Sequence, residues 1–287
     1  PKSSDDPDRL TEAGFTAARF GEAPHLRNDM SFEIDLSGRT ALVTGAGQGV
    51  GLGIARALAA AGAEVLINDL REARAAEAVE LVSSEGGRAR TAVFDVTDPA
   101  AIASVISASG GVDILVNNAG NAGVSGFGSL EPFVRTTPES WEPYLRVNLY
   151  GVMHCTHAAL PYMIDRKWGR IITIVSDAGR TGEANMAAYC AAKAGAAGFS
   201  RAIAHEVARF NVTSNNIALG TMKTPLAGDF WDEPRSPQAE SLLKQYLVRR
   251  PGDPADIAGM ALYLASDMAS WVTGQTYPVN GGISFAL

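Results

Sequence analysis

The chain lacks most of what organises small or specialised proteins. Its 287 residues include only two cysteines, Cys155 and Cys190, and neither stands in a CxxC pair. A disulfide framework is therefore excluded as the organising principle. Histidines number four, and His154 and His157 stand three apart in one helical stretch. That spacing suits a metal, but no carboxylate or thiolate set accompanies it, so the pair reads as ordinary helix residues and no metal is expected. No apolar run reaches the ~18 residues that a membrane span requires. Positive charge is in deficit, 24 basic against 31 acidic residues for a net charge of −7. This argues against a nucleic acid or an anionic membrane as partner. The opening PKSSDDPDRL has no apolar segment and several acids, unlike a secretory signal or a transit peptide. Together these absences point to a reduced, cytoplasmic setting. Disorder is excluded as well, because a 46% hydrophobic content offsets chain entropy.

What is present is a regular alternation. Residues 1–29 are polar and weakly periodic and read as an N-terminal leader or arm; residues 30–287 read as a single domain. Short β-branched runs occur at 40–45, 64–69, 90–96, 113–118, 170–176, 213–219 and 275–280. Alanine-rich amphipathic stretches lie between them, at about 50–61, 71–84, 99–108, 138–163, 187–210 and 253–266. Continuous apolar character over four to six residues suits strands buried on both faces. Strand–helix alternation without hairpin signals predicts an α/β fold, a Rossmann-like doubly wound parallel sheet of about seven strands with helices on both faces. Residues 221–250 differ in texture, with prolines, aromatics and charges, and are expected to form a lid.

Directly after the first predicted strand stands TGAGQGVG, 44–51, leading into a helix. Glycines there permit a tight turn and let backbone N–H groups approach a pyrophosphate at the helix N-terminus. The pattern fits Gly45, Gly49 and Gly51, and also Gly47, Gly51 and Gly53 one frame later; Thr44 at the strand end favours the first. Asp69 ends the second predicted strand. A carboxylate there accepts hydrogen bonds from ribose hydroxyls and repels a 2′-phosphate, which favours NAD over NADP. Arg71 and Arg74 lie close by as groups a phosphate would meet, and Asp69 also reads as an acid capping the next helix.

Tyr189 and Lys193 share one helix face at i, i+4. An ammonium beside a phenol favours phenolate and moves the tyrosine toward general acid/base work. Ser176 stands at the carboxyl end of the fifth predicted strand, where open parallel sheets bind their ligands.

From about residue 33 onward the chain resembles the short-chain dehydrogenase/reductase family. The resemblance rests on TGAGQGVG (44–51), Asp95-Val96, NNAG (117–120), Asn148, Ser176 and YCAAK (189–193), in order and spacing. It implies that Tyr189 is the general acid/base and that Ser176 holds the substrate carbonyl. It implies that Lys193 partners the nicotinamide ribose and depresses the tyrosine pKa, and that Asn148 holds a relay water. It places the cofactor against Gly45, Gln48, Gly49, Val50, Gly51, Asp69, Leu70, Asp95, Val96, Asn117, Ala119 and Gly120. Gly220, Thr221, Met222 and Thr224 border it after the sixth strand, beside Tyr189 and Lys193. Homo-oligomers, dimers or tetramers, are common in the family, and the apolar Ile283, Phe285 and Leu287 suit a subunit contact or packing on their own domain.

Two departures stand out. Asp177 follows the serine where small or hydroxyl residues are usual, adding a negative charge or capping a turn. Leu219-Gly220 replaces the frequent Pro-Gly, which predicts a looser hinge. Phe127, Met186, Phe230 and Trp231 are expected to wall the substrate pocket, and apolar walls suit an apolar ligand. The expected activity is reversible hydride exchange between NAD and a secondary alcohol or ketone with a cyclic, terpenoid or steroid-like body. The rival readings are an NADPH-dependent carbonyl reductase relying on Arg71, an isomerase or lyase on the same scaffold, and a non-catalytic nucleotide sensor.

Overall fold

Strands covered on both faces carry apolar side chains in both directions, and this chain builds its sheet that way. The computed structural model describes residues 33–121, 131–232 and 234–285; the leader 1–29 lies outside them. From Ile34 the elements are β1 (Thr40–Val43), α1 (Gly49–Ala60), β2 (Glu64–Asp69), α2 (Glu72–Ser84), β3 (Arg88–Val93) and α3 (Pro99–Ala108). Then come β4 (Ile114–Asn117), α4 (Pro138–Leu145), α5 (Gly151–Arg166), β5 (Gly169–Ser176), α6 (Ala178–Thr181) and α7 (Ala187–Val207). The chain ends with β6 (Val212–Leu219), α8 (Pro237–Leu243), α9 (Pro254–Ala265) and β7 (Thr276–Val279).

All neighbouring strands pair in parallel, in the order β3-β2-β1-β4-β5-β6-β7. The seven-stranded, doubly wound architecture expected from the alternation is what the chain adopts. Ala41 and Val43 face a core shared with Ile54 of α1, Ala78 of α2 and Ile257 of α9. Leu42 faces the opposite core with Ile102 of α3, Ala159 of α5 and Ile203 of α7. Local chemistry starts the helices: Asp98 accepts from the Ala100 and Ala101 amides at 3.0 and 3.1 Å, with Pro99 in the first turn. Asp253 and Asp256 form a reciprocal capping box at the start of α9. Because the order reverses between β1 and β4, a crevice opens at their carboxyl ends.

Two boundaries differ from expectation. β3 starts at Arg88 and stops at Val93, not at residue 96, because its partner β2 ends at Asp69, which pairs with Val93. The stretch 138–163 is not one helix. α4 and α5 are joined by a π-helical turn, Arg146–Tyr150, which shifts the register and turns Asn148 inward.

β5, which ends in Ser176, is anchored at its start. Arg170 is fully buried. Its guanidinium donates to the carbonyls of Gly169, Asn211 and Ser266 at 2.9, 3.2 and 3.2 Å, and to Asp267 at 2.9 Å. It lies 4.4 Å from the Trp168 ring centroid, and Arg39 lies 3.7 Å from the same ring centroid. Arg170→Ala would take a donor from the buried Gly169 and Ser266 carbonyls, so we expect a loss of about 2–4 kcal/mol in urea unfolding. A change below about 0.5 kcal/mol would show the anchor to be dispensable.

Candidate active site

The crevice is pinned by asparagines and one threonine. Thr44, buried after β1, accepts from the amides of Asn118 and Ala119 through Oγ1, each at 3.0 Å. Asn118 Nδ2 donates back to the carbonyls of Thr44 and Gly45 at 2.8 and 3.1 Å. On the other side Asn68 Oδ1 accepts from the Gly45 amide at 3.1 Å, while its Nδ2 donates to the Ala92 and Phe94 carbonyls. The glycine loop is thus stitched to β2, β3 and β4 at once. Sequence reasoning passed over Asn68 and Asn118. The doublet NNAG was a signal for Asn118; nothing in the sequence marked Asn68.

Two glycines are required by close approach. A Cβ at Gly47 would stand 2.5 Å from Asp69 Oδ2, so a side chain there would fill the cradle beside the carboxylate. A Cβ at Gly51 would stand 2.6 Å from the Gly45 carbonyl, so the first turn of α1 packs directly on the loop. Gly53, which the alternative frame uses, packs against Pro254 in mid-helix. Gln48 precedes α1 without a side-chain cap, and Gly49, Val50 and Gly51 form its first turn. Asp69 is 4% exposed. Its Oδ1 accepts from the Arg71 amide at 2.9 Å and from Arg74 Nη2 at 2.8 Å, and Oδ2 faces Gly47. Asp69 therefore also organises the start of α2, and Arg74 is committed to it.

The remaining expected cofactor contacts fall unevenly. Leu70 is exposed next to Asp69. Asp95 is exposed and closes a turn onto the Thr97 amide at 2.8 Å; Val96 is buried against Gly151. The Val96 carbonyl lies 3.2 Å from the His154 ring. Asn117 turns its side chain away from the crevice, donating to Thr156 on α5 at 3.2 Å. Ala119 and Gly120 continue along the crevice, and a Cβ at Gly120 would stand 2.9 Å from Asn148 Oδ1 and 3.3 Å from Lys193 Nζ.

At the far side, Asn148 is fully buried. It donates to the Asn121 and Tyr144 carbonyls at 2.9 and 3.0 Å and to Asn121 Oδ1 at 2.8 Å. Lys193 donates to the Ile174 carbonyl at 3.0 Å, and its ammonium lies 5.9 Å from the Tyr189 ring centroid. Burial pulls Lys193 down to about 8. Burial likewise pushes the Tyr189 phenol up, opposed by its hydrogen bond with Ser176. On the phenol, burial outweighs the lowering from Ser176. The ammonium gives one of its three donors to the Ile174 carbonyl and stays within 5.9 Å of the Tyr189 ring centroid.

Tyr189, Lys193, Ser176, Asn148, Val50 and Gly120 line one cavity of about 700 Å³. Gly220, Thr221, Met222, Thr224 and Met186 line it too. Phe127 lies outside the described residues. Phe230 and Trp231 do not line the cavity. Trp231 is 2% exposed, packed on Ala239 and Leu243 of α8, with Phe230 edge-on at 4.6 Å. α8 folds back across the lid and takes these aromatics for its own core. Leu242, Gln245, Tyr246 and Ile283 line the cavity in their place. The hinge at Leu219-Gly220 is held, not loosened. Tyr246 Oη accepts from the Thr221 amide at 2.8 Å, and Thr221 and Lys223 exchange backbone bonds with Gly252 at 3.1 and 2.7 Å. Asp177 is buried and paired with Arg180 at 2.7 Å; its carbonyl, rather than its side chain, accepts from the α6 amides.

Comparison with known proteins agrees with this geometry. Residues 45–284 match a family described as enoyl-(acyl carrier protein) reductase. A 3-oxoacyl-[acyl-carrier-protein] reductase, FabG, of Vibrio cholerae is 38% identical over 254 residues, 87% of this chain and 99% of that protein. The (2S)-[(R)-hydroxy(phenyl)methyl]succinyl-CoA dehydrogenase subunit BbsD of Thauera aromatica is 37% identical over 253 residues, 87% of this chain and 98% of that protein. The crystal structure of a gluconate 5-dehydrogenase from Burkholderia cenocepacia, in complex with NADP and tartrate, superposes with a TM-score of 0.80. It is 34% identical and covers 89% of this chain and 98% of that one. The chain belongs to the short-chain dehydrogenase/reductase family and is an oxidoreductase with a nucleotide cofactor.

Asn118→Ala removes both donors that fix the glycine loop. We expect NADH to bind about tenfold more weakly in fluorescence titration, equivalent to about 1.4 kcal/mol. An unchanged affinity would mean the loop holds its shape without that amide.

Proposed function

We propose that the protein exchanges hydride reversibly between NAD and a neutral secondary alcohol or ketone with a cyclic or terpenoid body. One observation carries the reading: Ser176, Tyr189 and Lys193 converge in a single cavity that continues to the glycine loop. The loop fits a dinucleotide, since the cradle at Gly47 would be filled by any Cβ and the start of α1 has no side-chain cap. The first-turn amides of α1 would hold the pyrophosphate, Asp69 the adenosine ribose, and Thr221 and Thr224 the nicotinamide amide. When bound, the nicotinamide supplies the hydride exchange.

The protein's own groups handle the proton. In reduction Tyr189 donates its phenolic proton to the substrate oxygen while Ser176 donates a hydrogen bond to the same oxygen. In oxidation the same proton returns to the tyrosine oxygen. Lys193, when charged, favours the phenolate left after donation, and Asn148 holds its end of a water relay. Burial that raises the phenol keeps Tyr189 protonated at neutral pH, the form that donates in reduction.

The cavity chemistry supports a neutral substrate. Glu183 and Asp177 line it, and among the described lining residues Lys193 is the only cation, already bonded to Ile174. Residues 122–130 include no charged residue. A carboxylate of the gluconate or tartrate kind would face Glu183, with Lys193 as the one cation among the described lining residues. Asp69 supports NAD, because a 2′-phosphate would meet a buried carboxylate whose arginine partner is engaged. A second reading, reduction of 3-oxoacyl thioesters, is favoured by the 38% identity to FabG of Vibrio cholerae.

A spectrophotometric panel of cyclic alcohols and ketones, sugar acids and 3-oxoacyl thioesters, each with NAD and NADP, tests these readings. Cyclic substrates should turn over fastest with NAD; faster sugar acids would overturn the substrate class, and faster thioesters would favour the second reading. Tyr189→Phe should abolish turnover with NADH binding retained, and near-normal activity would refute its role. Asp69→Ala frees Arg74 and should cut the NAD:NADP preference about tenfold or more. The kcat/KM for ketone reduction should be level at low pH and fall as pH rises through about 8, where Lys193 loses its charge. A profile flat from about pH 6 to about pH 10 would separate Lys193 from the proton step.

A further inference from the structure

The polar network around Asp177 leads from the residue after Ser176 to the C-terminal segment. Asp177 Oδ1 accepts from Arg180 Nη1 at 2.7 Å, and Oδ2 accepts from Asn280 Nδ2 at 2.5 Å. The same Arg180 nitrogen donates to Ser284 Oγ at 2.9 Å, and Nη2 donates to the Phe285 carbonyl at 2.7 Å. Asn280 reaches the Ser284 carbonyl at 3.0 Å with the amide nitrogen it gives Asp177, and its Oδ1 accepts from the Gly282 amide at 3.0 Å. A tight turn after β7 is thereby tied at both ends to one buried ion pair.

What this network holds matters for the site. Ile283 and Ser284 line the same cavity as Ser176 and Tyr189. Phe285 adds little apolar burial of its own, being 66% exposed. Besides the Val248 amide's bond to the Gly281 carbonyl at 2.9 Å, the segment is held by directional hydrogen bonds to one guanidinium and one carboxylate. The other end of the network is rigid. A Cβ at Gly179, between the two charged residues, would stand 2.9 Å from the Ala194 amide, so α6 is seated on α7, which carries Tyr189 and Lys193.

We propose that Asp177 and Arg180 are positioning residues that fix Ile283 and Ser284 as a wall of the substrate cavity, and that this wall selects substrates by size. The selection rests on reading the cavity as the substrate site; the fixing of the wall does not. Arg180 is chosen for the test because its fork grips Asp177, Ser284 and Phe285 together. Lysine at that position keeps the charge and loses the fork.

The experiment compares the full-length chain with Arg180→Met, Arg180→Lys and Asp177→Asn/Arg180→Met. Hydrogen exchange by mass spectrometry reads the wall without any substrate. Amides in 282–285 should exchange about tenfold faster in all three variants, with β5 and β6 unchanged. With the best ketone from the panel, Arg180→Lys and Asp177→Asn/Arg180→Met, which leave no lone carboxylate at 177, should show KM raised about tenfold with kcat within about threefold, and discrimination between small and bulky ketones should shrink. Unchanged exchange would overturn the proposal. So would wild-type behaviour of Arg180→Lys, which would assign Arg180 to charge compensation alone, or a fall in kcat at constant KM. If the wild-type chain is inactive across the panel while exchange responds as expected, the functional reading fails and the wall stands.

Discussion

Parallel pairing is the constraint from which the site follows. When every strand runs the same way, all carboxyl ends lie along one edge and every return crosses a face as a helix. The registers show the consequence here: Val43 pairs with Val116, Asn117 with Thr173, and Ser176 with Leu219. Thr44, Asn118, Ser176 and Gly220 therefore leave the sheet close to one level, though they are far apart in sequence. Both faces are covered by apolar helices, and apart from Thr213–Asn216 within β6 many of the buried polar groups stand at the strand ends. At one edge they form the cavity. At the other, Arg170 and Asp113 close off the exposed starts of the strands.

The same constraint explains what the sequence makes legible. Strands buried on both faces favour apolar residues at consecutive positions, and that made β1, β2, β4 and β5 visible to within about two residues; β6, polar over Thr213–Asn216, does not owe its legibility to apolar continuity. The glycine loop was visible because close approach forbids a side chain. The π-turn was not. Arg146–Tyr150 contains neither glycine nor proline, and the inward turn of Asn148 is stabilised by Asn121 and the Tyr144 carbonyl, partners revealed only by the tertiary contact. The lid aromatics failed for another reason. An apolar side chain beside a pocket either lines it or closes the segment that covers it, and composition does not separate the two. Trp231 took the second course because Ala239 and Leu243 of α8 offered it a core.

Electrostatics at the site follows from burial more than from pairing. The i, i+4 spacing correctly set Tyr189 and Lys193 on one face, yet the ammonium found the Ile174 carbonyl first. Desolvation then moves both groups toward their neutral forms, the phenol up and the ammonium down. Ser176 acts in the opposite sense on the tyrosine, so the hydroxyl–phenol contact is the local means by which the protein lowers the cost of phenolate.

A site tuned this way is sensitive to any uncompensated charge nearby, and Asp177 is next to Ser176. A lone buried carboxylate at that position would oppose negative charge on a substrate oxygen held by the serine. Arg180 removes that opposition by pairing with it, and the pair is stable in turn because Asn280 and Ser284 satisfy its remaining donors and acceptors. The charge that sets this chain apart from the common family pattern thus comes with a counter-charge three residues on, on the same short helix, and the bonds that complete the pair are the ones that seat the C-terminal segment against the cavity.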